Sequence, residues 1–132
     1  MQQFTRLGAI VCALLAVGTA SAAAQGATDL PEGVTKEMVA DGQKIFKGQG
    51  LCQACHGPEG KGVPGLGANL TDTEWLHSDG SHQAIIESIL KGVSADKSST
   101  GSVMPPKGGS GLSEKQVRAV AAYVWSVSRP AK

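Results

Sequence analysis

The chain has 132 residues, with twelve basic and eleven acidic side chains and a formal net charge of +1. This balance excludes the strong electrostatic field that attracts nucleic acid or a charged membrane surface. Aromatic residues make up only 4% of the chain, so a small domain built from it needs apolar mass beyond its own side chains, such as a bound prosthetic group.

Residues 1–24 have the pattern of a secretory signal peptide. Arg6 supplies a positive charge, an apolar run covers 7–17, and small residues offer cleavage sites near Ala22 to Ala24. The apolar run is short for a membrane span. We therefore expect a cleaved signal and a periplasmic or otherwise extracytoplasmic protein. The alternative is an uncleaved anchor, and only then do we expect contact with a membrane.

Residues 25–34 are rich in Gly, Pro and polar side chains and predict a flexible lead-in to a single domain over 35–129. The first predicted helix runs from Thr35, a suitable N-cap, to Lys47. Its apolar face includes Gly42. A mid-helix glycine costs about 1 kcal/mol relative to alanine, which makes sense where a second helix crosses closely.

The motif Cys52-Gln53-Ala54-Cys55-His56 follows this helix. C-x-x-C-H is the pattern of c-type haem attachment. Two thiols three positions apart on one helical turn reach the two vinyl groups of a single haem, and the adjacent histidine projects toward the iron. The sequence therefore predicts one covalent haem c, with Cys52 and Cys55 as its thioether residues and His56 as an axial ligand.

Three other uses of the two thiols fit less well. A thioredoxin-like redox pair needs a βαβ pattern, and no strand-like alternating run surrounds the motif. A zinc site needs two further ligands, for which His77 and His82 are the candidates. A disulfide between Cys52 and Cys55 would close a very short, strained loop.

Three further helical segments are predicted downstream. A short one covers 71–76, with Thr71 and Glu74 in a capping-box pattern. The next covers 81–91 and carries a stripe of isoleucine and leucine. The last covers 112–128, where Ala121 and Ala122 would allow a close crossing against Gly42. The connections over 57–70 and 94–111 are long for a helical bundle, which fits loops that wrap a cofactor.

Met104 is the candidate for the second axial ligand. It lies in a Gly/Pro-rich loop, directly before Pro105 and Pro106, and proline restricts the preceding residue to extended conformations. A thioether is a soft, neutral ligand that raises the reduction potential of haem iron. The alternatives are a gap-filling role for Met104 or ligation by His77 or His82.

Together these motifs resemble the class I c-type cytochromes. The resemblance covers 35–128 and depends on the haem motif, on Met104-Pro105-Pro106 and on the pattern of the last helix. The middle segment around Trp75 is similar to single-haem domains of bacterial respiratory chains, including haem–copper oxidase subunits. The implied fold is all-α, a small cytochrome c fold in which the N- and C-terminal helices cross and long loops wrap one covalent haem.

The resemblance also implies residue roles and a function. Pro64 would offer its carbonyl to the His56 ring, and Trp75 would pack near the haem, with ordinary core packing as its alternative. With both axial positions filled by protein, we expect a one-electron carrier in a respiratory or related redox chain rather than an enzyme. Its partners would be redox proteins, such as a dehydrogenase or an oxidase, and not nucleic acid. The alternatives are a fixed haem subunit of an oxidoreductase complex, or a sensor or enzyme with a labile distal ligand.

Overall fold

The computed structural model describes residues 30–129. The predicted signal peptide and the first part of the lead-in lie outside this range. The described chain forms four α-helices and one short 3₁₀ segment, with no strand within 30–129 beyond isolated bridges. The helices are α1 (Lys36–Lys47), α2 (Gln53–His56), α3 (His82–Lys91) and α4 (Glu114–Val127), and the 3₁₀ segment is Pro106–Gly109. The all-α prediction is confirmed.

The helix boundaries follow from side-chain capping. Thr35 accepts a hydrogen bond from the backbone N–H of Met38 at the start of α1, and Ser81 does the same for Ala84 at the start of α3. Ser113 and Gln116 form a reciprocal capping box at the start of α4. Each cap satisfies backbone donors that the first helical turn leaves unpaired.

The end of the predicted lead-in packs against the domain. Val34 is buried, and its backbone N–H donates to the carbonyl of Pro31 at 3.0 Å. This turn fixes the direction in which the chain enters α1.

Helices α1 and α4 cross in close contact at Gly42. A Cβ atom on Gly42 would lie 1.9 Å from the carbonyl oxygen of Ala119 and 3.0 Å from the Cβ of Tyr123. The predicted crossing is therefore confirmed, but its small partner is Ala119 and not Ala121 or Ala122. Positions 119 and 123 are four apart and share one face of α4.

The core forms around this crossing. The rings of Phe46 and Tyr123 meet edge to face, with centroids 5.2 Å apart, an arrangement that aromatic quadrupoles favour. Helix α3 adds its buried isoleucines, Ile85, Ile86 and Ile89. The core thus joins α1, α3 and α4, and leaves α2 and the long loops to bound a cavity.

The short helix predicted over 71–76 is absent. The side chain of Asn69 accepts from both the N–H and the hydroxyl of Thr71, and Asp72 accepts from the N–H of Glu74. These local bonds stabilise turns in place of a helix, a known alternative for Asn and Asp side chains. The capping-box prediction at Thr71 was wrong.

Gly42→Ala tests the helix crossing. Helix propensity alone would stabilise the variant by about 1 kcal/mol, but the clash with Ala119 should reverse the sign and cost roughly 1–3 kcal/mol. Denaturant unfolding of the haem-loaded protein measures this change. Gln43→Ala, at an exposed neighbouring position of α1, should be nearly neutral. A stabilised Gly42→Ala protein would contradict the described contact.

Candidate functional site

One cavity of about 470 Å³ lies between α2 and the long loops, a volume within the range of small-molecule sites. It brings together most of the predicted site residues, namely Cys52, Cys55, His56, Trp75 and Met104. Pro64 is not among the residues that line it. Positions far apart in the sequence thus converge on a single space.

The cavity also accounts for the exposed apolar side chains. The large hydrophobic residues of 30–129 that remain exposed are Leu51, Leu66, Leu76 and Val103, each with at least half of its surface accessible. All of them line this cavity. Exposed apolar side chains that cluster in this way mark a binding surface, and here they indicate an apolar ligand.

Helix α2 presents the haem motif on one turn. Cys52 is half-buried and Cys55 is exposed. Burial raises the pKa of the Cys52 thiol. Gly50 permits the tight connection from α1, because a Cβ there would lie 2.8 Å from the carbonyl oxygen of Ile45 and 3.2 Å from the Sγ of Cys52.

Within residues 30–129, the two thiols and the other two histidines do not form one cluster. Cys52 and Cys55 are not joined by a disulfide. Within 30–129, no group of three or more His, Cys, Asp or Glu side chains is placed to hold a metal ion. The ring of His82 lies 3.0 Å from the carbonyl oxygen of Arg118, whereas the exposed His77 borders the cavity.

The ring of His56 is oriented by a backbone carbonyl. Its Nδ1 lies 2.8 Å from the carbonyl oxygen of Ala68. The sequence had predicted that the carbonyl of Pro64 makes this contact. A tight turn explains the difference, since Val63 and Gly67 pair through two backbone bonds and leave Pro64 exposed between them. Such a contact fixes the ring so that Nε2 faces a metal, and it increases the basicity of the ligand.

Gly67 brings this carbonyl into place. A Cβ at Gly67 would lie 2.4 Å from the carbonyl oxygen of Cys55, so only glycine lets the segment before Ala68 pack against α2. The small residues Gly67 and Ala68 were the only feature of the sequence that indicated this contact, and sequence reasoning missed them.

Met104 is held by the end of α3. Its backbone pairs with Val93 through bonds of 2.8 and 2.9 Å, and the segment packs so closely that a Cβ on Gly92 would lie 2.4 Å from the carbonyl oxygen of Met104. The side chain is half-buried and lines the cavity. The extended loop expected before Pro105 is therefore present, and it is anchored to a core helix.

Two side-chain hydrogen bonds join the loops that bound the cavity. The hydroxyl of Ser102 donates to the carbonyl oxygen of Gly65 at 2.6 Å. The hydroxyl of Thr100 donates to the carbonyl oxygen of Leu66 at 3.4 Å. We call this pair of bonds the loop latch. It ties the Met104 loop to the loop that carries Ala68, the partner of His56.

The sequence matches the family described as "Cytochrome C oxidase, cbb3-type, subunit III" over residues 37–124. The chain belongs to this family. It is therefore a c-type cytochrome, with covalently bound haem c as its cofactor. The matched segment runs from α1 through most of α4, so it includes the helix crossing and the cavity.

Curated relatives are subunits of cbb3-type cytochrome c oxidases. Subunit CcoP of Rubrivivax gelatinosus is 40% identical over 83 residues, which cover 60% of this chain and 23% of that protein. Subunit CcoP of Rhodobacter capsulatus is 40% identical over 91 residues, with coverages of 65% and 28%. Subunit FixP of Bradyrhizobium sp. (strain ORS 278) is 42% identical over 90 residues, with coverages of 67% and 27%.

The c-type cytochrome chain spans less than a third of the length of these relatives. No solved structure matches it significantly. Across residues 30–129, none of the helices has both the length and the apolar character needed to cross a membrane.

Gly67→Ala tests the orientation of His56. The added Cβ should push Ala68 away from the ring and leave Nδ1 without its acceptor. With His56 as the axial ligand predicted from the sequence, a less basic imidazole stabilises the ferric state less. The midpoint potential of the haem should then rise by about 30–60 mV, a three- to tenfold change in the ratio of ferrous to ferric protein. Gly111→Ala, where no atom lies within 4 Å of the added Cβ, is the control. Equal potentials in the two variants would contradict this role for Ala68.

Ser102→Ala tests the loop latch. One hydrogen bond contributes about 0.5–1.5 kcal/mol net. With Met104 as the distal ligand predicted from the sequence, ferric protein in which Met104 is displaced should become roughly two- to tenfold more populated. Titration with imidazole, which competes for the distal position, measures this population as a lower apparent dissociation constant. Ser94→Ala, at an exposed position of the same loop, should bind imidazole like wild type. An unchanged constant for Ser102→Ala would show that the latch does not restrain Met104.

Proposed function

We propose that this domain transfers single electrons through a haem c held by Cys52, Cys55, His56 and Met104. In this proposal the two thiols form the thioether bonds, and the imidazole and the methionine thioether are the axial ligands. The observation that carries it is the cavity that all four side chains line together. Trp75 lines the same cavity and forms part of its wall.

The residues of the site suit a haem. The cavity is bordered by apolar side chains on several loops, which match the apolar face of a porphyrin. The thiols lie on one helical turn, as attachment to a single macrocycle requires. The His56 ring already has an acceptor for its Nδ1 proton, which leaves Nε2 as the ligand atom.

When bound, haem iron supplies a single-electron couple between the ferric and ferrous states. The chain restricts what else can happen at the site. Helix α2 holds His56, and the segment directly after α3 holds Met104 through the pairing with Val93. With protein atoms at both axial positions, no position is open to a substrate, which favours electron transfer over bond-making catalysis.

The partners follow from the relatives. Because these are named as oxidase subunits, we propose that this domain exchanges electrons with redox proteins of a respiratory chain that ends in an oxidase. It acts there as a diffusible carrier or as a fixed subunit of the complex. Copurification with oxidase subunits would favour the second. The pattern of residues 1–24 supports a location outside the cytoplasm.

Met104→Ala tests the axial pair. The ferric spectrum should lose the thioether-to-iron absorption band near its red end, the midpoint potential should fall because a soft neutral ligand is lost, and the ferrous protein should bind carbon monoxide. Met38→Ala removes the other methionine within 30–129, on α1, and should leave all three properties as in wild type.

A Met104→Ala protein with the wild-type spectrum would contradict the axial assignment. So would a wild-type ferrous protein that binds carbon monoxide readily under native conditions, since this would indicate a labile distal ligand of the kind found in a sensor or an enzyme.

A further inference from the structure

Trp75 lies in the loop between α2 and α3 and owes its position to tertiary contacts rather than to a helix. Its half-buried indole packs directly on Gly80, where a Cβ would lie 2.2 Å from the indole Nε1. Gly80 is buried and has a left-handed φ of 72°. The backbone at Gly80 is therefore a close-fitting seat for the indole.

Arg129 holds this seat from the far end of the domain. Its Nη2 donates to the carbonyl oxygen of Gly80 at 3.1 Å, across 49 positions of sequence. The neighbouring carboxylate of Asp79 is also affected. The pKa of Asp79 is lowered, mainly by hydrogen bonding from Ser81, and the charge of Arg129 contributes.

The guanidinium of Arg129 is itself fixed to the end of α4. It stacks over the ring of Trp125 at 4.2 Å, and its Nη1 donates to the hydroxyl of Ser128 at 3.2 Å. Ser128 is 1% exposed. The two contacts orient the planar guanidinium of this exposed residue, and Arg129 thereby links the end of α4 to the loop of Trp75.

We propose that Arg129 is a positioning residue that, through Gly80, holds the Trp75 indole against the haem cavity and limits the access of water to the cofactor. This inference rests on the proposed function, since it takes the cavity to be the haem site. Solvent exposure is one of the factors that set a haem potential. Water stabilises the more highly charged ferric form, so release of the indole should lower the midpoint potential.

Arg129→Ala and Gly80→Ala disturb the seat from its two sides in the intact haem-loaded protein. Each variant should shift the NMR resonance of the Trp75 indole N–H. Each should also lower the midpoint potential of the haem by about 30 mV, a threefold change in the ratio of ferrous to ferric protein. Arg129→Lys keeps the charge but loses the fork, and it should fail to restore the wild-type values.

The controls match each change. Arg118→Ala removes an exposed arginine from α4, and it separates loss of charge from loss of the contact with Gly80. Gly33→Ala adds a Cβ at a φ of 77° with no atom within 4 Å, and it separates backbone strain from contact with the indole. Neither control should change the Trp75 resonance or the potential.

A double-mutant cycle decides between positioning and general stability. In a Trp75→Phe background, Arg129→Ala should no longer change the potential, because the group it positions is gone. An equal effect in both backgrounds would overturn the proposal, as would an Arg129→Ala protein with unchanged resonance and potential. A protein without covalent haem would instead refute the proposed function, so the two failures are distinguishable.

Discussion

The contact between Gly42 and Ala119 is the constraint on which the rest of the structure depends. It lets α1 and α4 approach backbone to backbone and places the Phe46–Tyr123 pair beside the crossing. Helix α1 leads directly through a glycine turn to the two thiols on α2. Arg129 lies two residues after the end of α4 and reaches the loop of Trp75. The position of both sides of the cavity therefore follows from one close helix crossing.

The cavity walls are loops, yet backbone pairing gives them defined positions. Val63 pairs with Gly67 on the His56 side, and Val93 pairs with Met104 on the other side. The loop latch joins the two. A domain with so few aromatic residues gains its shape from these pairings and from the apolar group that they enclose, which explains why the exposed hydrophobic side chains gather at the cavity.

Sequence reasoning predicted the long helices, the N-cap of α1 and the residues that meet in the cavity, because these depend on local periodicity and on motifs with fixed spacing. It failed where tertiary contacts decide. Ala68 rather than Pro64 contacts His56, because Gly67 packs against α2. Ala119 rather than Ala121 meets Gly42, because packing sets the rotation of α4 about its axis. Arg129 was missed since its partner Gly80 lies 49 positions away.

The central claim is that one haem c lies in this cavity between His56 and Met104. A crystal structure of the haem-loaded protein, with iron located by anomalous diffraction, tests it most directly. The account predicts one iron bound by Nε2 of His56 and by the sulfur of Met104 on opposite faces, with thioether bonds to Cys52 and Cys55. Iron bound by His77 or His82, or a distal position occupied by a group from outside the protein, would contradict it.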